Sequence, residues 1–577
     1  MSPRSQKNYS NNRSLSDGFG ALVRPTIYAV ALGYAVALGL SSLAAQANVE
    51  SQPVNSNARG TLVELHAPTT SGDVVSIAYA LTEQDLLWSK DGRLLPAANA
   101  ALALLAAAES HGLPSSHYGL ARIQAKAQQI EDPTQATQFD HDLTRALWRY
   151  AQHITEGVAA VGPHAMANSK VKVSQQTLSK SLIRGMVQAI KRNRIDGFFK
   201  ALSPHAKPYR ELQEALALYR SYQARGGWAT LPTDSVLRLG SNEPEVADLR
   251  SRLEMTDSLT ISLIDRNLFD VDLETAVKRF QYRHGLTQDG IVGGKTRRAL
   301  NESVERKIDR LALNLDRWRQ LPRNLPRTRV MVNIPEYQLR LYQDHEKTLE
   351  MRVVVGSKEN PTPVIHGRLD HLVFNPYWYP TRRITRREIL PSLQQDPNYL
   401  SQARMEVLDG SKPIDASNIA WNDFTGANLP YRFRQLPGPK NSLGKVKFIF
   451  PNEHAVYMHD TPITSQFAHD ARAYSHGCIR LENPKALASA ILGWERGWNE
   501  QDVERKMTGN RPKFTKFKET LDIYLVYLTA NVNNGDVFFY SDIYAQDRTP
   551  EYLLAHRLRP LPPVTTPDVA SIVQPAP

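Results

Sequence analysis

The stretch YSHGCIRLEN, residues 474–483, holds the only cysteine of a 577-residue chain. A lone thiol has three readings: a buried and unused side chain, half of an intermolecular disulfide, or a nucleophile. Gly477 favours a sharp turn just ahead of Cys478, which exposes the sulfur and leaves backbone N–H groups free for an oxyanion. Downstream, Asn483 suits an N-cap and Pro484 the first helical position, with Leu487, Ala490, Ile491 and Trp494 as an apolar stripe. Cys478 therefore sits in a loop before a helix, whose positive end favours thiolate.

A thiol attacks only as thiolate, so it needs a base. Two histidines are candidates: His476, and His459 at the end of the strand-like AVYMHD, residues 455–460. Residues two apart converge on a strand but not around a glycine turn. His459 is accordingly read as the base, and His476 as an orienting or structural residue. Arg480 has two open readings, binding a substrate carboxylate or bonding nearby backbone carbonyls.

Working outward, short runs rich in Val, Ile, Phe and Tyr predict a mostly β domain over 327–505. An insertion over about 381–440, helical or loop, interrupts it and opens with the basic, helix-like stretch 381–408; insertions of that size act as lids. Residues 506–545 are expected to add strands packing on this domain, with a hairpin at Asn534-Gly535. Upstream, 61–230 reads as a helical scaffold, with helices closing at Gly112 and Gly157. Residues 237–301 read as a small three-helix module, with Pro244 near the first helix start, Asp272 as N-cap of the second and Gly285 as its terminator. A connecting helix fills 302–326. The proline-rich 559–577 is expected to be disordered. The fold class is multidomain α+β.

The formal charge of +12 suggests an anionic partner: nucleic acid, an anionic membrane surface or a polymer bearing carboxylates. Arg4, Lys7, Arg13 and Arg24 precede an uncharged run over 27–47 that ends in Ala45-Gln46-Ala47. Residues 1–47 thus read as an export signal or, if uncleaved, a membrane anchor, followed by a polar linker over 48–60. Either way the remainder faces outside the cytoplasmic membrane and nucleic acid drops out. Membrane contact is expected only if the segment stays uncleaved. No HExxH, CxxC or phosphate-binding glycine loop occurs, so neither metal nor organic cofactor is expected.

Two resemblances sharpen this. LRLGSNEPEVADLRSRL followed by AVKRFQYRHGLTQDGIVGGKTRRAL is similar to the peptidoglycan-binding domain family. YMHDTP, residues 457–462, with SHGCIRLEN, residues 475–483, resembles the signature of L,D-transpeptidase catalytic domains, in the large periplasmic subgroup with scaffold and wall-binding modules. The resemblance implies 3→3 cross-linking of peptidoglycan tetrapeptide stems as donor and acceptor, through an acyl-enzyme on Cys478 with His459 as base. It further implies an oxyanion site at Gly477 and Cys478 aided by Tyr457, loop support from Ser475 and His476, and stem contacts from Arg480. Trp378 would line the donor site or belong to a core, and Arg382, Arg383, Arg386 and Arg387 would arm a capping lid. Cell-wall synthesis proteins are the expected partners. Water or a lipoprotein lysine as acceptor would instead give a carboxypeptidase or a lipoprotein-attaching enzyme. The non-enzymatic alternative is a wall-binding scaffold. Tyr379 with its following arginines, and Asn242-Glu243, depart from the two family patterns and put the donor site and the module's groove in doubt.

Overall fold

The computed structural model describes residues 74–82, 86–158, 175–232, 235–257 and 265–548. The expected export segment, linker and proline-rich tail lie outside them. Among the described residues no helix is long and apolar enough to cross a membrane.

The architecture is multidomain α+β. Helices α1 (Pro96–Ala107) and α2 (Pro133–Glu156) build the scaffold around Leu105, Phe139, Leu143 and Leu147. The chain leaves them at Gly112 and Gly157, both at positive φ, as their glycines lead one to expect. Helix α3 (Lys207–Ala224) then lies against the connecting helix α7 (Val304–Arg319) in a separate core. Between them α4 (Pro244–Glu254), α5 (Val271–Arg283) and α6 (Gly294–Leu300) close over Leu249, Leu273, Phe280 and Leu300. The N-cap of α5 is Asp270, not Asp272: its Oδ1 accepts from the Leu273 N–H at 2.9 Å, and Asp272 falls within the first turn. Both aspartates precede apolar periodicity, and only the phase of the turn separates them.

Helix α7 buries charged as well as apolar residues. Each buried charge has a partner: Arg310 meets Glu302 at 2.7 Å, Arg317 meets Asp547 at 2.8 Å and Arg319 meets Asp316 at 2.9 Å. Removing one member would strand the other in a low-dielectric interior.

The remaining domain is a nine-stranded sheet. Its strands are β1 (Arg329–Asn333), β2 (Gln338–Gln343), β3 (Glu346–Gly356), β4 (Ile365–Phe374), β8 (Val446–Ile449), β9 (Met458–His459), β10 (Ala473–Ser475), β11 (Ile479–Leu481) and β12 (Lys513–Val526). They run in the order β10-β3-β11-β9-β8-β4-β12-β1-β2, and β2 also pairs with β3, so the sheet curls back on itself. Inside sit Val332, Leu339, Val353, Phe374, Phe448, Met458 and Ile479. The expectation that 506–545 packs on this domain needs correction at β12. It lies within the sheet, antiparallel to β4 and parallel to β1. The predicted hairpin does form, from β13 (Ala530–Asn533) and β14 (Asp536–Phe539) across Asn534 and Gly535, both at positive φ.

The helix-like opening of the insertion, 381–408, is helical only through Gln402, and a single 3₁₀ turn returns at Trp421–Asp423. Short helical turns through Gln402 give way to a three-stranded sheet of β5 (Met405–Asp409), β6 (Lys412–Ile414) and β7 (Arg432–Gln435). Its own small core includes Ile384, Ile389, Leu393, Val407 and Phe433.

Candidate active site

Three short strands write the site. The antiparallel register of β8 and β9 sets Lys447 opposite His459 and Phe448 opposite Met458. The parallel register of β9 and β11 sets Met458 beside Ile479 and His459 beside Arg480. Successive strand residues face opposite ways, and neighbouring strands stand about 4.8 Å apart. Phe448, Met458 and Ile479 are wholly buried in the core, each contributing roughly 1.5–3 kcal/mol of burial. The other face therefore carries Lys447, His459 and Arg480 in one row. Continuing the same registers, Tyr457 and Cys478 stand side by side in the next.

The side-chain geometry agrees. The rings of Tyr457 and His459 are 5.7 Å apart, and Lys447 Nζ stands 5.6 Å from the Tyr457 ring centre. Tyr457 lies beside the Cys478 sulfur and favours its charged form through both its backbone and its hydroxyl. His459 is 4% exposed, and its Nδ1 lies 2.5 Å from the Asp460 carbonyl oxygen. That contact fixes Nδ1–H as donor and leaves Nε2 as the acceptor. Asp460's carboxylate is engaged elsewhere, accepting from the Lys445 and Thr461 N–H groups at 2.7 Å each.

Burial drives the His459 pKa down to about 3, with Arg480 and Lys447 adding to the effect against the Asp460 bond. The imidazole is neutral at any ordinary pH. Burial pushes the Cys478 thiol up, opposed by Tyr457, Arg480 and Lys447. Burial thus works against charge on both the thiol and the imidazole.

Hydrogen bonds brace the loop ahead of Cys478. Gly477 takes φ +113°, a conformation glycine alone adopts readily. Its N–H donates to Ser475 Oγ at 3.1 Å, and that hydroxyl donates to the Cys478 carbonyl. Thr362 Oγ1 donates to the Gly477 carbonyl and accepts from the Gly356 N–H, both at 2.8 Å. The Gly477 amide is therefore occupied, whereas the Cys478 amide has no protein acceptor among the described residues. His476 points away to the insertion, with Nε2 2.7 Å from Glu388 Oε1. Arg480 donates to Gln466 Oε1 at 2.8 Å. Asn483 caps α8 (Pro484–Arg496), accepting from the Ala486 N–H at 3.0 Å. Leu487 and Ile491 are buried as expected, but Trp494 is 47% exposed and Leu492 takes its place.

The arrangement brings together Cys478, His459, Tyr457, Gly477, Ser475 and Arg480, with His476 on the rim. Trp378 belongs to the insertion's cluster. It pairs by backbone with Gln435 and packs on the insertion's small core. Sequence reasoning missed Lys447, Thr362 and Glu388. Only Lys447 left a signal, as a charge within the apolar alternation VKFIF.

Residues 327–506 match the family model of the L,D-transpeptidase catalytic domain. The chain carries an L,D-transpeptidase catalytic domain. Residues 73–216 match the scaffold domain, and 242–300 match the family described as "Putative peptidoglycan binding domain". A curated Haemophilus influenzae protein named "Putative L,D-transpeptidase" is 35% identical over 240 residues, 41% of this chain. The match spans 48% of that relative, about half its length. Among solved structures, an L,D-transpeptidase from Xylanimonas cellulosilytica is 15% identical, covering 51% of this chain and 98% of its own, at a TM-score of 0.16. One from Stackebrandtia nassauensis is 14% identical, covering 52% and 98%, at 0.20. At those TM-scores the two carry no argument. The transpeptidase domain contains every residue of the constellation above.

Proposed function

We propose that the chain is an L,D-transpeptidase that forms 3→3 cross-links in peptidoglycan through a Cys478 acyl-enzyme. The observation that carries this reading is Cys478 beside Tyr457 and one row from His459, whose Nδ1 proton is committed and whose Nε2 has no partner among the described residues.

Cys478 Sγ attacks the carbonyl of the L-centre of the stem's diamino acid while its proton passes to His459 Nε2. The developing oxyanion takes the Cys478 N–H and the Tyr457 hydroxyl. Collapse of the tetrahedral intermediate breaks the amide bond, and the His459 proton leaves with the D-alanine amine. A second stem's amine then attacks the thioester, giving its proton to His459, and the thiolate departs and recovers that proton. Because burial works against charge on both imidazole and thiol, proton transfer accompanies attack. Peptidoglycan as substrate is supported by the match over 242–300. A site outside the cytoplasmic membrane is supported by the uncharged run over 27–47.

The test is incubation of the purified chain with disaccharide-tetrapeptide, followed by mass spectrometry. Dimer with release of D-alanine is expected. Tripeptide alone would replace the proposal with a carboxypeptidase, and unchanged substrate would leave a wall-binding scaffold.

A further inference from the structure

The chemistry above leaves two charged side chains on the site's face idle: Arg480, which is held by Gln466, and Lys447. Lys447 occupies the middle of β8 between Val446 and Phe448, both wholly buried on the opposite face. Its own side chain is half-buried, and the ordinary partner of a lysine there would be a carboxylate. Among the described residues none lies within ion-pair distance of Lys447. What surrounds it instead is the site: His459 directly across the register, and the Tyr457 ring 5.6 Å from its ammonium. Arg480 occupies the mirror position on the far side of His459.

We propose that Lys447 is a positioning residue of the reaction, a counter-charge that favours the Cys478 thiolate and holds Tyr457 over the sulfur while His459 stays neutral. The inference rests on Cys478 being the nucleophile. The groups facing the sulfur are Tyr457 and His459 from β9, Arg480 from β11 and Lys447 from β8. His476, in its own loop, is turned to Glu388. No carboxylate among these competes for the ammonium. Two cations flanking one imidazole serve two ends: they repel a resting proton from His459, and they attract negative charge on sulfur. Burial raises the thiol, and Lys447 and Arg480 are the charges set against that rise.

The experiment is iodoacetamide alkylation of the full chain between about pH 6 and pH 10, read by intact mass, in wild type, Lys447→Met, Lys447→Gln and Lys447→Arg. Cys478 is the chain's only cysteine, so one adduct reports one site. Lys447→Met and Lys447→Gln are expected to move the alkylation midpoint up by about one pH unit, a tenfold loss of thiolate near neutrality. Lys447→Arg is expected to restore most of it. With tetrapeptide, the same neutral variants should lower kcat while leaving KM within about twofold. An unmoved midpoint in whichever neutral variant folds would overturn the proposal, as would a change confined to KM. Alkylation needs no substrate, so a shifted midpoint alongside an absence of any tetrapeptide product would count against the transpeptidase reading alone.

Discussion

His476 Nε2 and Glu388 Oε1 lie 2.7 Å apart, joining the residue two before Cys478 to the insertion that interrupts the catalytic domain. Both side chains are substantially exposed, 40% and 50%, so the pair contributes no more than about 1 kcal/mol. Its consequence is local rather than global. Glu388→Gln is expected to leave the thermal midpoint almost unchanged while raising hydrogen exchange across residues 382–395. Unaltered exchange there would mean that the insertion is held by its own packing alone.

Cys478→Ala is expected to abolish acyl transfer in a folded protein. His459→Ala should slow acylation by roughly 10²–10⁴, the usual worth of a positioned general base. His476→Ala should cost far less, because its ring faces Glu388 rather than the sulfur. Single-turnover acylation measured by mass would separate them, and equal losses would mean that His459 is not the base.

Thr362→Val removes a hydroxyl that bridges the Gly356 N–H and the Gly477 carbonyl in a wholly buried position. Leaving two buried polar groups unpaired costs about 1–3 kcal/mol in stability. The same change frees the glycine turn, so acylation should slow more than the stability loss explains. Urea unfolding together with the acylation rate checks both parts.

The pH dependence of stability follows from His459. Its folded pKa, about 3, is below its ordinary value of 6.5, so the unfolded chain binds more protons between these limits. Stability therefore falls as pH drops through that window, by on the order of 3 kcal/mol at pH 4 from this one group. His111, lowered to about 3, and His153, to about 4, pull the same way. His459→Gln should lose less stability than wild type between pH 7 and pH 4 in denaturant titrations. Equal losses would place the acid sensitivity on the scaffold histidines.

Much of the site was legible because its parts are local. SHGC forces a glycine turn, AVYMHD ends on its histidine, and Asn483-Pro484 starts a helix by cap chemistry that needs no distant partner. Lys447 was not legible, since its meaning depends on a register between strands that only the fold sets. Seen alone, a lysine reads as solvated charge. The burial of the α7 arginines left no sequence signal for the same reason, because their carboxylate partners come from as far as Asp547. Strand β12 was half-seen. Its apolar end, DIYLV, looks like a strand, whereas the alternating KFTKFKE before it gains its identity only by pairing with β4. The insertion's late strands were hidden behind a helical beginning.

Thr287 bonds Asp470 through its N–H at 3.1 Å and its hydroxyl at 2.5 Å, while Arg279 meets Asp536 at 2.8 Å. These exposed bonds, together with the buried His284 ring stacked on Phe539 at 6.0 Å, tie the three-helix module to the segment that leads into the thiol's loop and to the hairpin behind it. A hook on a slack tether samples every distance within reach, whereas a riveted one works at a single radius. Any glycan that the module grips would present its stems at a spacing already cut into the protein, as a ruler does.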